Sequence, residues 1–190
     1  MATNREPSRR WVIVAYDLPN EPSKLRVRAW RSFKKLGAVY PSVSLCILPD
    51  SRQLDKEVDA LRSEFSKHGS IFMLNAAPLS SGDDEQLLRI FLEDRSKQYE
   101  ELYEECQEFL DEIADNIKKR KTTYEETDEL EQAFEGLERW FQSIKGKGEG
   151  REQDSAKVEK ILEKCRKELA SFAEKSQPKD INRQAGPRKP

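Results

Sequence analysis

The hydrophobic positions change period several times along the chain. Residues 11–18 form a nearly continuous apolar run rich in Val and Ile, which predicts a strand covered on both faces at the centre of a sheet. Pro19 and Pro22 end it. A helical period then takes over across residues 26–37: Leu25, Ala29, Phe33 and Leu36 recur on one face, with Ser23 as the N-cap and Gly37 as the stop. Residues 38–48 return to β-branched and apolar side chains with a break at Pro41-Ser42, which predicts two short strands joined by a tight turn or one bent strand. Pro49, Asp50 and Ser51 stop that segment and cap a helix over 52–68, where Leu54, Val58, Leu61 and Phe65 share a face and Gly69 closes the helix. Residues 70–77 are the last strand before Pro78. The order β, α, β, β, α, β predicts a ferredoxin-like split arrangement, with both helices on one face of an antiparallel sheet.

Beyond Ser81-Gly82 the apolar positions advance only by threes and fours. Leu88, Phe91, Arg95, Tyr99, Leu102, Cys106, Phe109, Ile113 and Ile117 mark one narrow stripe on a long helix running through Lys119. A helix of that length, on the order of 50 Å at 1.5 Å per residue, needs something to cover it. Thr122-Thr123 marks the turn, and a second helix over 125–144 repeats Leu130, Leu137 and Ile144 every seven residues with Phe134 and Phe141 between. Two narrow, heptad-like stripes predict an antiparallel hairpin with coiled-coil character. Residues 145–150 form a flexible linker, and residues 154–174 a third helix with Val158, Ile161, Leu162, Cys165, Leu169 and Phe172 on one side. That helix either completes a three-helix bundle or swaps onto a partner.

The expected class is therefore α+β. Its organisation is a disordered start (1–9), a ferredoxin-like domain (10–80), a helical hairpin (83–145), a linker (146–152), a carboxy-terminal helix (153–176) and a disordered basic tail (177–190).

Composition sharpens this picture. Hydrophobic residues are 36% and charged residues 37% of the 190 residues, so the core is lean and helices with a single buried stripe are favoured. A net charge of -2 hides an asymmetry: residues 1–40 carry nine Lys/Arg against three acids, and residues 83–144 carry twenty acids against eight bases. The first region suits a polyanion, and the second would repel one. Three cysteines, widely spaced and without a CxxC pair, suit a reducing compartment. With no apolar leader and no long apolar run, the expectation is a cytoplasmic protein without a membrane partner.

The cations concentrate on the first helix. Lys24, Arg26, Arg28, Arg31, Lys34 and Lys35 lie off its apolar stripe, and nucleic acid is the partner such a helix most often meets. A solvated face with no partner is the plain alternative. Trp30 joins the set as a residue able to stack beside guanidinium groups or a sugar edge, although core burial between helix and sheet is its favoured role. Arg95 stands out because it occupies an apolar position of the long stripe. With Tyr99 one turn on, it is a candidate anion site, and a structural salt bridge is the simpler account; Glu93 and Asp94 do not face it on an ideal helix.

His68, the single histidine, suits a helix C-terminus, and neither a zinc site nor a Ser-His-Asp triad is credible with it alone. Cys46, Cys106 and Cys165 fall on apolar stripes and read as core. Thiol chemistry would require exposed cysteines of low pKa. No cofactor is expected. Asp17 ends the first strand, where accepting backbone N–H bonds explains it.

Two stretches carry a family resemblance. Arg-Val-Arg-Ala-Trp-Arg-Ser-Phe-Lys-Lys-Leu-Gly-Ala, residues 26–38, with Cys-Ile-Leu-Pro at 46–49, resembles the amino-terminal domain of the ChrB chromate-resistance regulators. The stretch 91–106, Phe-Leu-Glu-Asp-Arg-Ser-Lys-Gln-Tyr through Cys106, is similar to that domain's helix in which an aspartate-arginine pair precedes a tyrosine. The matches span roughly residues 10–144. The resemblance implies a transcriptional regulator that represses a chromate-efflux operon until chromate is present. Longer members carry a further carboxy-terminal domain for which this chain has no room. The expected function is accordingly that of a regulator fragment or stand-alone relative, which associates with DNA through the basic helix and dimerises through the helical extension.

The opening Val-Ile-Val-Ala-Tyr-Asp-Leu-Pro looks like the ferredoxin-like domain of the PaaX repressors and of the small CRISPR-associated integration subunit. In the latter a strand-end aspartate is proposed to hold a divalent ion, which gives a metal-dependent nuclease centred on Asp17 as one alternative. A scaffold whose acidic hairpin binds a basic partner protein is the other.

Overall fold

A computed structural model describes residues 9–19, 24–50, 55–148 and 150–176. The predicted caps Ser23 and Ser51, stripe residue Leu54, and the predicted disordered ends apart from Arg9 lie outside the described residues. The fold is mixed α/β. Nine elements follow in the order β1 (Trp11–Asp17), α1 (Lys24–Lys35), β2 (Val39–Ser42), β3 (Leu45–Pro49), α2 (Asp55–Phe65), β4 (Ser70–Ala76), α3 (Ser81–Lys118), α4 (Tyr124–Lys145) and α5 (Glu152–Ser176) among the described residues. The chain divides into two compact units, Met1–Ser96 with Lys145–Gly150, and Lys97–Ile144 with Arg151–Pro190.

The first unit holds a four-stranded sheet in the order β2-β3-β1-β4, with each neighbouring pair antiparallel. The 38–48 segment resolves into two strands, β2 and β3, rather than one bent strand. Strand alternation splits β1 into two sets of side chains. Val12, Val14 and Tyr16 join Cys46, Leu48, Ile71 and Met73 in a cluster closed by Ala29 and Phe33 of α1 and Phe65 of α2. Trp11, Ile47 and Val39 pack instead with Leu87, Ile90 and Phe91 from the start of α3. Trp11 pins that helix: its ring stacks on Phe91 at 4.9 Å, and its indole N–H donates to Asp84 Oδ1 at 3.1 Å.

The apolar run of β1 predicts burial on both faces, yet Ile13 and Ala15 are only half-buried, and their β4 neighbours Leu74 and Phe72 are 60% and 64% exposed. The physical reason is coverage. The first turns of α3 reach Trp11, Val39 and Ile47, while Phe72 and Leu74 on the same face stay exposed.

α1 stops where the glycine predicts. Gly37 has φ of 93°, its N–H bonds the Lys34 carbonyl, and the Ala38 N–H bonds the Phe33 carbonyl, both at 3.0 Å, the paired pattern of a Schellman cap. α2 ends at Phe65, before His68, because the chain turns with the His68 N–H bonded to the Phe65 carbonyl at 3.0 Å. His68 is thus an exposed turn residue rather than the last residue of the helix.

The second unit is helical. α3 is capped within the first unit by Ser80, whose Oγ accepts from the Asp83 N–H at 3.2 Å; α4 is capped by Thr123, which accepts from the Glu126 N–H at 3.3 Å. The later part of α3 gives Tyr99, Leu102, Cys106, Phe109 and Ile113 to one core, α4 gives Leu130, Phe134, Phe141 and Ile144, and α5 gives Val158, Ile161, Leu162, Cys165, Leu169 and Phe172. The predicted third helix therefore packs with the hairpin inside one chain. No helix among the described residues is long and apolar enough to cross a membrane.

Candidate nucleic-acid interface

α1 is amphipathic because its stripe is short and its remaining positions are almost all cations. Ala29 and Phe33 are fully buried, Leu25 and Leu36 flank them, and the cations spread over the rest of the cylinder. Their surroundings differ. Arg28 reaches α2 and pairs with Glu64 at 2.8 Å. Lys34 is half-buried and pairs with Asp94 of α3 at 2.8 Å. Arg26 is half-buried, whereas Lys24, Arg31 and Lys35 are exposed; these three make no ion pair with the described residues. The six cations predicted as one ridge are thus divided, Arg28 and Lys34 being tied to acids of the same chain.

Trp30 corrects the favoured expectation of core burial. It is 45% exposed, because it follows Ala29 by one position and so points about 100° away from the buried stripe. Its ring lies tilted against Tyr40 at 6.4 Å, and the Tyr40 hydroxyl donates to the Trp30 carbonyl at 3.5 Å. Val27, one turn earlier, is exposed as well. The outer face of α1 therefore presents an apolar pair, Val27 and Trp30, set among cations.

Arg95 is a buried charge of the first unit, 1% exposed. One terminal nitrogen donates to the Gly37 carbonyl at 2.9 Å and to the Lys147 carbonyl at 3.0 Å. The other reaches Asp94 Oδ2 at 3.1 Å. Adjacent residues on a helix are not expected to meet. Here the guanidinium turns back toward the two carbonyls, on the side where Asp94 also reaches Lys34, and one carboxylate serves both cations. This favours the structural account of Arg95 over an anion site. Gly37 explains itself twice, since a Cβ on it would stand 2.7 Å from that same guanidinium nitrogen and 2.9 Å from the Lys147 carbonyl oxygen. The segment predicted as a flexible linker is thus held through Lys147, whose pKa is lowered by burial and by the nearby Arg95 charge. Tyr99, one turn beyond Arg95, is buried in the helical core with its ring 6.1 Å from that of Phe141.

Asp17 is exposed at the end of β1, in register with Ser70 and on the sheet face turned away from α1. No group of three or more His, Cys, Asp or Glu side chains able to hold a metal ion gathers among the described residues. All three thiols are buried and free. Burial pushes Cys46 up to about 12 and raises Tyr40 and Tyr16 beside it. A hydrogen bond to the Cys165 thiol, together with burial, raises Cys106. The same hydrogen bond lowers Cys165. Cys46, Tyr40, Tyr16 and Cys106 are core groups shifted toward their neutral forms.

Sequence reasoning placed the cations but missed Glu64, Asp94 and the Gly37 and Lys147 carbonyls that sort them. Asp94 carried a faint signal as the acid beside the one charged stripe position. The carbonyls carried none.

Together these features define a mixed α/β module with a cationic helix seated on a small sheet and an acid-rich helical unit in the same chain. The family model for protein ChrB, N-terminal, matches residues 26–180. The chain belongs to that family and is a domain of the chromate-resistance regulator type. The match starts at the basic helix and runs past the resembling stretches into the third helix of the second unit. No curated protein and no solved structure matches the chain.

Proposed function

We propose that this domain acts in transcriptional regulation by associating with duplex DNA through the outer face of α1. Lys24, Arg31 and Lys35 supply phosphate contacts, and Trp30 with Val27 rests against a sugar or groove edge. Arg28, Arg26 and Lys34 contribute charge from the flanks. The observation that carries this reading is the exposed side of α1: three cations without ion pairs to the described residues beside a solvent-facing indole. The interface is narrower than the six-cation ridge read from sequence, since Lys34 and Arg28 already have acidic partners.

The first unit reads as a ferredoxin-like domain. Its β-α-β-β-α-β order supports this, as do β1 and β3 at the centre of the sheet and α1 with α2 on one face. The two compact units are read as its domain division. Dimerisation through the helical extension loses its main argument, because the apolar stripes of α3, α4 and α5 are already buried against one another. Nuclease chemistry at Asp17 gains none from the surroundings of that carboxylate.

Salt and charge reversal test the DNA reading together. Phosphate contacts release counterions, so each lost contact lowers the slope of log affinity against log salt by roughly 0.9. Arg31→Glu with Lys35→Glu should abolish a gel shift seen at low salt, and Trp30→Ala should weaken it without changing the slope. A wild-type protein that binds no duplex at low salt, its own upstream region included, overturns the proposal, as does a double reversal that binds like wild type.

A further inference from the structure

The two edges of the sheet are built differently. β2, on one edge, contains Pro41 and a register irregularity between Val39 and Ser42, and both features keep an edge strand from pairing with another chain. β4, on the other edge, has neither. Its seven residues Ser70–Ala76 pair in unbroken register with β1 on one side only, and the sequence Ser-Ile-Phe-Met-Leu-Asn-Ala has no proline and no charge. The bare part of the sheet face lies next to it. Phe72 and Leu74, 64% and 60% exposed, stand beside Ala15 and Ile13 of β1, and the one ionisable side chain along that row of β1 and β4 is Asp17 at its end, opposite Ser70.

We propose that β4 is a pairing edge for a second copy of this chain, joining two sheets into one through an antiparallel β4–β4 contact about a two-fold axis. An antiparallel edge is complementary to itself under such an axis. The strand spans roughly 24 Å at 3.4 Å per residue, and with the axis at its middle residue, Met73, Phe72 of each copy lies opposite Leu74 of the other. Opposed aromatic and aliphatic side chains are a favourable cross-strand pair. Charge decides between occupants. A nucleic acid would need cations on this face, and the row has none; a second copy brings an equally uncharged β4 strand, so no like charges meet along the edge. The pairing stands independently of DNA contact by α1.

The test is the mass in solution by light scattering across a wide concentration range, with hydrogen exchange at β4. Wild type should show twice the chain's mass at high concentration, with the amides of Ser70–Ala76 slowing as concentration rises. Phe72→Glu and Leu74→Glu alter side chains that are exposed in the single chain, so each should restore the single-chain mass while the far-ultraviolet dichroism stays unchanged. Val43→Glu, exposed in the turn between β2 and β3, should leave the dimer intact. A wild type that stays at the single-chain mass throughout overturns the proposal. So does a dimer that survives both glutamates, or β4 exchange that ignores concentration, the readout that also decides the matter should a glutamate variant fail to fold.

Discussion

The sheet unit and the helical unit close their cores in opposite ways. In the helical unit each of three helices has one apolar stripe, and every stripe faces another from the same chain, so Leu102, Cys106, Ile113, Ile144, Cys165 and Phe172 are sealed. In the sheet unit the face under α1 and α2 is closed around Val14, Phe33 and Phe65, whereas the opposite face is only partly covered by the start of α3. The helical unit buries neutral polar side chains, Asn116 and Thr127, beside its apolar stripes. The sheet unit buries a guanidinium. The difference teaches where coverage stops: the exposed indole of Trp30 and the strand β4, paired on one side only, both belong to the unit whose sheet is left open.

The largest effects should come from matched deletions in the two cores. Phe33 and Phe172 are both fully buried, one in each unit, and a Phe→Ala change in a packed core costs about 3–5 kcal/mol. In urea unfolding, Phe33→Ala should lower the transition reported by Trp11, and Phe172→Ala the one reported by Trp140, which lies against the helical core. Each should leave the other midpoint in place. If either deletion shifts both probes equally, the two units form one cooperative block and the contrast between them dissolves at the level of stability.

A somewhat smaller change should sharpen the contrast. Arg95→Met keeps the length of the side chain but leaves the Gly37 and Lys147 carbonyls without their shared donor and takes from Asp94 one of the two cations, Arg95 and Lys34, that its carboxylate serves. Removing one member of a buried ionic cluster costs about 3 kcal/mol, and the loss should appear in the Trp11 transition alone. A variant as stable as wild type would mean that the guanidinium is replaceable packing, and the sheet unit would then differ from the helical one only in coverage.

How much of this was legible in the sequence follows from the range of the interactions. The period of Leu88, Phe91 and Tyr99 through Ile113 marks α3 along nearly its whole length, because a helix writes its burial every three or four residues. The first and last strands and the Gly37 stop were equally plain, whereas residues 38–48 read as two strands or one bent strand. What the sequence hid was set by neighbours far along the chain. Trp30 looked like core because tryptophan usually is, and only its angle from Ala29 turns it outward. The run at 11–18 looked buried on both sides because composition cannot show how far α3 reaches across a sheet. Of the candidate site, the identity of the cations was readable, but their division into paired and exposed depended on Glu64 and Asp94, each more than thirty residues away from its partner on α1. Arg95 was noticed for the right reason, a charge in an apolar stripe, while its carbonyl partners had no side-chain signature to find.

The smallest predicted effect compares the two units at a single backbone position. α1 and α3 end in the same hydrogen-bond pattern. At α1 the Ala38 N–H bonds Phe33 and the Gly37 N–H bonds Lys34; at α3 the Lys121 N–H bonds Asn116 at 2.9 Å and the Arg120 N–H bonds Ile117 at 3.1 Å. The residue that must turn left-handed is glycine in the sheet unit and arginine in the helical one, with φ of 57° at Arg120. A left-handed conformation costs a residue with a Cβ about 1–2 kcal/mol, partly offset by the greater freedom glycine has to lose on folding. Arg120→Gly should therefore stabilise the helical unit by about 0.5–1 kcal/mol, raising the Trp140 midpoint and leaving Trp11 unmoved. Its charge complicates the reading, since Arg120 follows Lys118 and Lys119 where cations favour the helix end. Arg120→Asn, which loses the same charge but tolerates the left-handed region less well than glycine, separates the two: a gain larger with glycine than with asparagine assigns the effect to the backbone, and equal changes in both assign it to the charge.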